Sequence, residues 1–197
     1  MRILYINYYK ESNPKRREEI ETCIINNINS RLFYEIINLS DTHLDGVTNF
    51  NISHRPTFAD FIKATLPIKD AIHIISNLDI YFDETITLAD NIGTNELYAL
   101  SRWDIKNGKP ILFNHCDSQD TWIFRERLPV KYGDFTMGVW GCDNRIAHEF
   151  KEAGYKVINP AHSIKTYHLH ESRSVNSEKK INKTIPPPYH LIYTSQL

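Results

Sequence analysis

The chain has 197 residues, 41% of them hydrophobic, and a formal charge of −1, which allows one large domain with a real core and offers no broad field for nucleic acid or an anionic membrane. Its 7 glycines form neither a P-loop nor a dinucleotide fingerprint, and no apolar run approaches the roughly 20 residues that span a bilayer. The N-terminus turns polar too quickly for a signal peptide, and three widely spaced cysteines (Cys23, Cys116, Cys142) suit reduced thiols in a cytoplasmic protein.

In chain order, residues 3–8 read as a first strand. Pro14 opens a helix whose apolar stripe is Ile20, Ile24, Ile25 and Ile28. Residues 32–39 read as a second strand and the polar stretch 40–54 as a loop. A second helix starts at 55–61, with Phe58, Phe61 and Ile62 at helical spacing. The β-branched run through Ile72, Ile74 and Ile75 predicts a buried strand ending at Asn77, followed by a helix over 83–90. Strands are expected at 96–101, 110–113 and 121–124, a helix over 143–153 closed by Gly154, and strands at 155–158 and 164–167. Beyond Ser172 the chain becomes charged and then Pro-rich (Pro186-Pro187-Pro188), which predicts an extended surface tail over 173–197. The βαβαβα order followed by mixed strands points to an α/β fold: one domain over 1–172 with a central mixed sheet flanked by helices.

The richest stretch is Ser76-Asn77-Leu78-Asp79-Ile80-Tyr81-Phe82-Asp83-Glu84. It places Asn77 and Asp79 at the carboxyl end of a strand, where open α/β sheets bind ligands. A carboxylate there is an oxygen ligand for a divalent cation carrying a nucleotide phosphate, or simply a cap on the next turn. Position alone does not separate the two. Further acids sit at element ends: Asp104 after Ser101-Arg102-Trp103, Asp117 and Asp120 before Thr121-Trp122, and Asp143 in Trp140-Gly141-Cys142-Asp143-Asn144-Arg145. Asp143 fits an N-cap, but beside Trp140 and in combination with Asp79 it also fits a general base. Asp120 reads as structural or acceptor-binding, and Asp104 and Asp117 rank below it. Of the late histidines, His168 is the candidate to join Asp79 on Mn2+ or Mg2+, while His170 reads as an ordinary polar residue. The Cys/His spacing does not make a structural zinc site. Trp122 and Trp140 offer a face for a sugar ring, although tryptophan is more often core.

In these segments, together with Arg55-Pro56-Thr57-Phe58-Ala59-Asp60-Phe61 and Tyr167-His168-Leu169-His170, the chain resembles glycosyltransferases of the GT-A fold, in particular small bacterial and viral-type sugar transferases. The resemblance runs from the first strand to about residue 172. It implies a nucleotide-binding N-terminal half, an acceptor-binding C-terminal half, and an Asp-x-Asp type motif holding Mn2+ or Mg2+ on a nucleotide-sugar diphosphate. Asn77-Leu78-Asp79 is similar to that motif but has Asn in its first place, which leaves Asp79 as the direct ligand. The resemblance further implies Asn7, Tyr8 and Tyr9 near the base or ribose, Arg55 and Asp60 near the donor, and Asn77, Asp120, Trp122 and Asn144 among the substrate-binding residues. It implies His168 on the metal and Asp143 as the base of an inverting transfer to a glycan, lipid-linked or protein acceptor. From another class, the chain also fits a catalytically weak or inactive nucleotide-sugar-binding module of a larger glycan-assembly protein. A metal-dependent hydrolase would need more His/Asp pairs at strand ends than are present.

Overall fold

A computed structural model describes residues 1–125, 130–171 and 184–197. The main sheet has seven strands: β1 (Arg2–Ile6), β2 (Glu35–Leu39), β3 (Thr48–Phe50), β4 (Ile72–Ser76), β6 (Glu96–Leu100), β9 (Thr121–Phe124) and β10 (Lys156–Ile158). Their order is β10-β6-β9-β4-β1-β2-β3, and β9 alone runs antiparallel to its neighbours β4 and β6. A second sheet of four short strands has the order β5-β11-β7-β8, from β5 (Ile80–Phe82), β7 (Trp103–Lys106), β8 (Lys109–Leu112) and β11 (Thr166–His168). The expected α/β fold with a mixed central sheet is therefore present.

Both faces of the main sheet are covered, so its central strands read as nearly continuous apolar runs. Alternate residues go to opposite cores. Ile3, Tyr5, Trp122 and Phe124 face Phe58, Phe61 and Phe150, while Leu4, Ile6, Ile74 and Ile123 pack with Ile80, Ile86 and Ile164 on the other side. Helices α2 (Phe58–Ala64) and α3 (Cys142–Glu152) supply Phe58, Phe61 and Phe150 to the first core.

Helix α1 (Pro14–Ser30) begins where expected: the Asn13 side chain accepts from the Lys15 and Arg16 amides, and Pro14 takes the first turn. Its buried face differs from the expected stripe. Ile20 and Ile24 are buried, but Ile25 is 55% exposed, and Arg16, Cys23 and Asn27 complete the inner face. A polar inner face forms because the helix lies against β5, where Asn27 bonds both the Ile80 carbonyl and the Phe82 amide.

Several boundaries move. β1 and β4 end one or two residues early, leaving Asn7 and Asn77 in the loops. The 40–54 loop contains the short edge strand β3, paired in parallel with β2. Helix α2 starts at Phe58 because Thr57 and Asp60 form a capping box. Residues Glu84–Asn91 form a 3-10 helix capped by Asp83. β5 and β7 were not anticipated, since three or four residues carry too little periodicity to stand out. Residues 184–197 do run extended, yet Ile192 is buried in the first core and its amide bonds the Cys116 carbonyl. That stretch completes the domain's packing as well as covering its surface. The charged part of the expected tail, 172–183, and the 172/173 boundary lie outside the described residues. Among the described residues no helix is long and apolar enough to cross a membrane.

Candidate functional site

At the carboxyl ends of β1 and β4 lies a cavity of about 180 Å³, whose wall includes Asn7, Tyr9, Arg16, Arg55, Asn77 and Asp79. Parallel pairing of β1 with β4 brings these two loops together. Asn7 is anchored by donating to the Leu39 carbonyl at 2.7 Å, and Arg55 by donating to the Met137 carbonyl. Tyr8 is not among the cavity's lining residues; its amide donates to Asn38 and its carbonyl accepts from Ser40. The neighbouring Tyr9 lines the cavity instead.

The small sheet delivers the histidines. β11 runs antiparallel to β5, with His168 opposite Ile80, so residue 168 is carried to the chain segment at Asp79. His168 Nε2 lies 3.1 Å from Asp79 Oδ2. His170 follows on the same side, its ring centroid 5.3 Å from that of His168. One potential ligand atom from each of Asp79, His168 and His170 lies within 4.8 Å of the others. His170, expected from the sequence as an ordinary polar residue, lies within this cluster. An oxygen and two imidazole nitrogens this close fit a divalent cation that keeps open positions for phosphate oxygens and water.

The charges around this cluster are strong. Burial opposes ionisation of Asp79, but His168 and Arg16 hold its carboxyl well below the usual carboxylate range. Burial also opposes a charge on His168, yet Asp79 and Asp104 push it up to about 9. His170 is lowered by burial and by Arg16. Arg16 itself, 5% exposed, bonds Glu19, Asp79 and the Leu169 carbonyl. A buried arginine on a helix's inner face was missed because its position differs little from the flanking surface cations in sequence.

The Asn at position 77 now has a physical reason. Its Nδ2 donates to Asp120 Oδ1 at 2.8 Å, and its amide donates to the Asp120 carbonyl. A carboxylate at 77 would face Asp120 with no proton to share. Asp120 Oδ2 is held by Arg102 at 3.0 Å.

Asp143 lies in the first turn of α3, near Asp120. It is not the N-cap, because that place belongs to Gly141 at φ 81°. Gly is required there: a Cβ would come within 2.7 Å of both the Ile185 carbonyl oxygen and the Tyr189 hydroxyl. Burial, and then the Asp120 charge, raise the Asp143 carboxyl to about 7, opposed by bonds from Cys142 and the Gln119 amide. Asp143 is not part of the cavity wall; Asp120, whose charge reaches it, bonds Asn77 on that wall.

Other expected residues are placed elsewhere. Trp122 is fully buried against Phe58, ring centroids 4.9 Å apart, and has no surface to give a sugar. Trp140, by contrast, is 73% exposed. Asp60 is occupied in the α2 capping box, accepting from Thr57 and His54, and is absent from the cavity wall. Asn144 is buried on α3, and its Oδ1 has no hydrogen-bond partner among the described residues.

Solved structures that the chain matches include the mannosyltransferase PcManGT from Pyrobaculum calidifontis in complex with GDP-Man and Mn2+, with a TM-score of 0.56 at 14% identity over 90% of this chain. Another is S. aureus TarS in complex with UDP-GlcNAc, with a TM-score of 0.50 at 10% identity over 88% of this chain. The chain spans 59% of the length of each. At such identities the likeness shows the fold alone, an α/β domain with a mixed central sheet that this chain shares with those two structures. No protein-family model matches the chain, and no curated protein matches it in sequence.

Proposed function

We propose that the protein is a glycosyltransferase that moves a sugar from a nucleotide-diphosphate sugar to an acceptor hydroxyl with inversion. The observation that carries this reading is the meeting of Asp79, His168 and His170 beside a cavity walled by Asn7, Tyr9, Arg55 and Asn77, on a GT-A-like fold. The N-terminal half would hold the nucleotide through Asn7, Tyr9 and Arg55, and the C-terminal half the glycan, lipid-linked or protein acceptor. Asp79, His168 and His170 would hold Mn2+ or Mg2+, which supplies a Lewis acid for the charge developing on the departing diphosphate. Asn77 and Asp120 keep the Asp79 loop in register with the start of β9. Asp143, poised near neutrality, would take the proton from the acceptor hydroxyl. The buried thiols of Cys23 and Cys142, raised by burial, suit a reducing compartment, and we set the reaction in the cytoplasm.

A second reading, a nucleotide-sugar-binding module of a longer glycan-assembly protein, draws on the 59% span of the matched structures and on the engagement of Asn77 with Asp120. A thermal-shift screen of UDP-, GDP- and dTDP-sugars with and without Mn2+ tests the donor site. A ligand at 100 times its Kd should stabilise by about 2.7 kcal/mol. Asp79→Ala should remove the Mn2+-dependent part; unchanged donor affinity in that variant would contradict the assignment. Donor hydrolysis without acceptor favours the enzyme, and stabilisation without turnover favours the module.

A further inference from the structure

His168 has a different partner on each ring nitrogen. Nε2 faces Asp79, and Nδ1 lies 2.9 Å from Asp104 Oδ1. The second contact follows from topology, because β11 pairs in parallel with β7 and places residue 168 beside residue 104. Asp104 is not free to drift. Arg102 Nε donates to its Oδ1 at 2.9 Å, and Lys106 Nζ lies 3.6 Å from its Oδ2. The Arg102 guanidinium sits 4.1 Å from the Phe113 ring centroid and reaches Asp120 through Nη1. One cation therefore ties the carboxylate behind His168 to the carboxylate behind Asn77.

We propose that Asp104, clamped by Arg102, is a positioning residue that accepts the Nδ1–H of His168 and aims Nε2 at the cation shared with Asp79 and His170. The inference rests on the metal reading above. A metal-ligating imidazole must present a lone pair on one nitrogen, so the proton has to reside on the other. A carboxylate on Nδ1 selects that tautomer, prevents ring rotation and makes Nε2 a better donor. Asp104 makes no direct contact with the cation in this arrangement. Its effect passes through His168, and that of Arg102 passes through Asp104.

Mn2+ titration of the full chain by calorimetry, with the visible spectrum of the Co2+ form as a reporter of imidazole ligation, tests this. Asp104→Asn should weaken Mn2+ by about 10- to 100-fold and alter the Co2+ spectrum. Arg102→Met should act in the same direction by a smaller factor, and Asp104→Glu, which keeps the carboxylate, should recover most of the affinity. These variants also cover the case in which Asp104→Asn fails to fold. If Asp104→Asn and Arg102→Met bind Mn2+ as the native chain does while Asp79→Ala does not, the positioning role is overturned and the metal site stands. If the native chain binds no Mn2+, both fall together.

Discussion

The Asp143→Asn substitution probes the candidate base without needing a substrate. In the folded chain its carboxyl is raised from the ordinary 3.8 to about 7, chiefly by burial and then by Asp120. A raised acid contributes stability that is fully present below its unfolded value. That contribution is lost as pH climbs from about 4 through 7, because the unfolded chain releases the proton first. Roughly three pKa units at about 1.4 kcal/mol each set an upper bound of about 4 kcal/mol. The side chain keeps some solvent contact, so screening brings the expected difference to about 2–3 kcal/mol. Asparagine has nearly the same shape, keeps an acceptor for the Gln119 amide and does not ionise. The variant should therefore match the native chain at pH 4 and melt about 5–10 °C higher at pH 8, given about 2–4 °C per kcal/mol for a chain of this size. Differential scanning fluorimetry across pH 4–9 is sufficient. An ordinary carboxylate in a helix's first turn gives the opposite sign, a loss at pH 8 from the missing helix-dipole interaction. A flat or negative difference at pH 8 would refute the buried-base reasoning. In transfer assays the same variant should lose about 10²- to 10⁴-fold in rate while still binding donor.

Other consequences follow from single contacts. Asn77→Asp restores the acid of an Asp-x-Asp motif but loses the bond to Asp120 and sets two carboxylates face to face. It should lower the melting temperature without tightening Mn2+, and tighter binding by calorimetry would show that Asn77 faces the cation instead. Gly141→Ala meets both a positive φ and a 2.7 Å contact with the 185–189 segment. It should cost about 1–3 kcal/mol in urea unfolding, and a neutral result would mean that this segment yields readily.

Apart from the short strands β3, β5 and β7, the order of strands and helices, the mixed sheet and the places of Asp79, His168 and Asp143 at element ends were legible in the residues. Periodicity and turn chemistry are local properties, and a strand's end is written where its apolar run stops. What folding alone decided is which of those ends meet. Tyr9 lines the cavity where Tyr8 does not, and His170 joins His168 beside Asp79 because β11 pairs with β5, a strand of three residues too short to announce itself. Trp122 disappears into the core while Trp140 stays exposed, a difference set by the place of β9 inside a sheet covered on both faces and not by residue type. Arg16, Arg102 and Asp104 acquire their roles from partners 63, 18 and 64 residues away. Charge pairing at that range depends on tertiary distance and burial, which no stretch of sequence carries by itself.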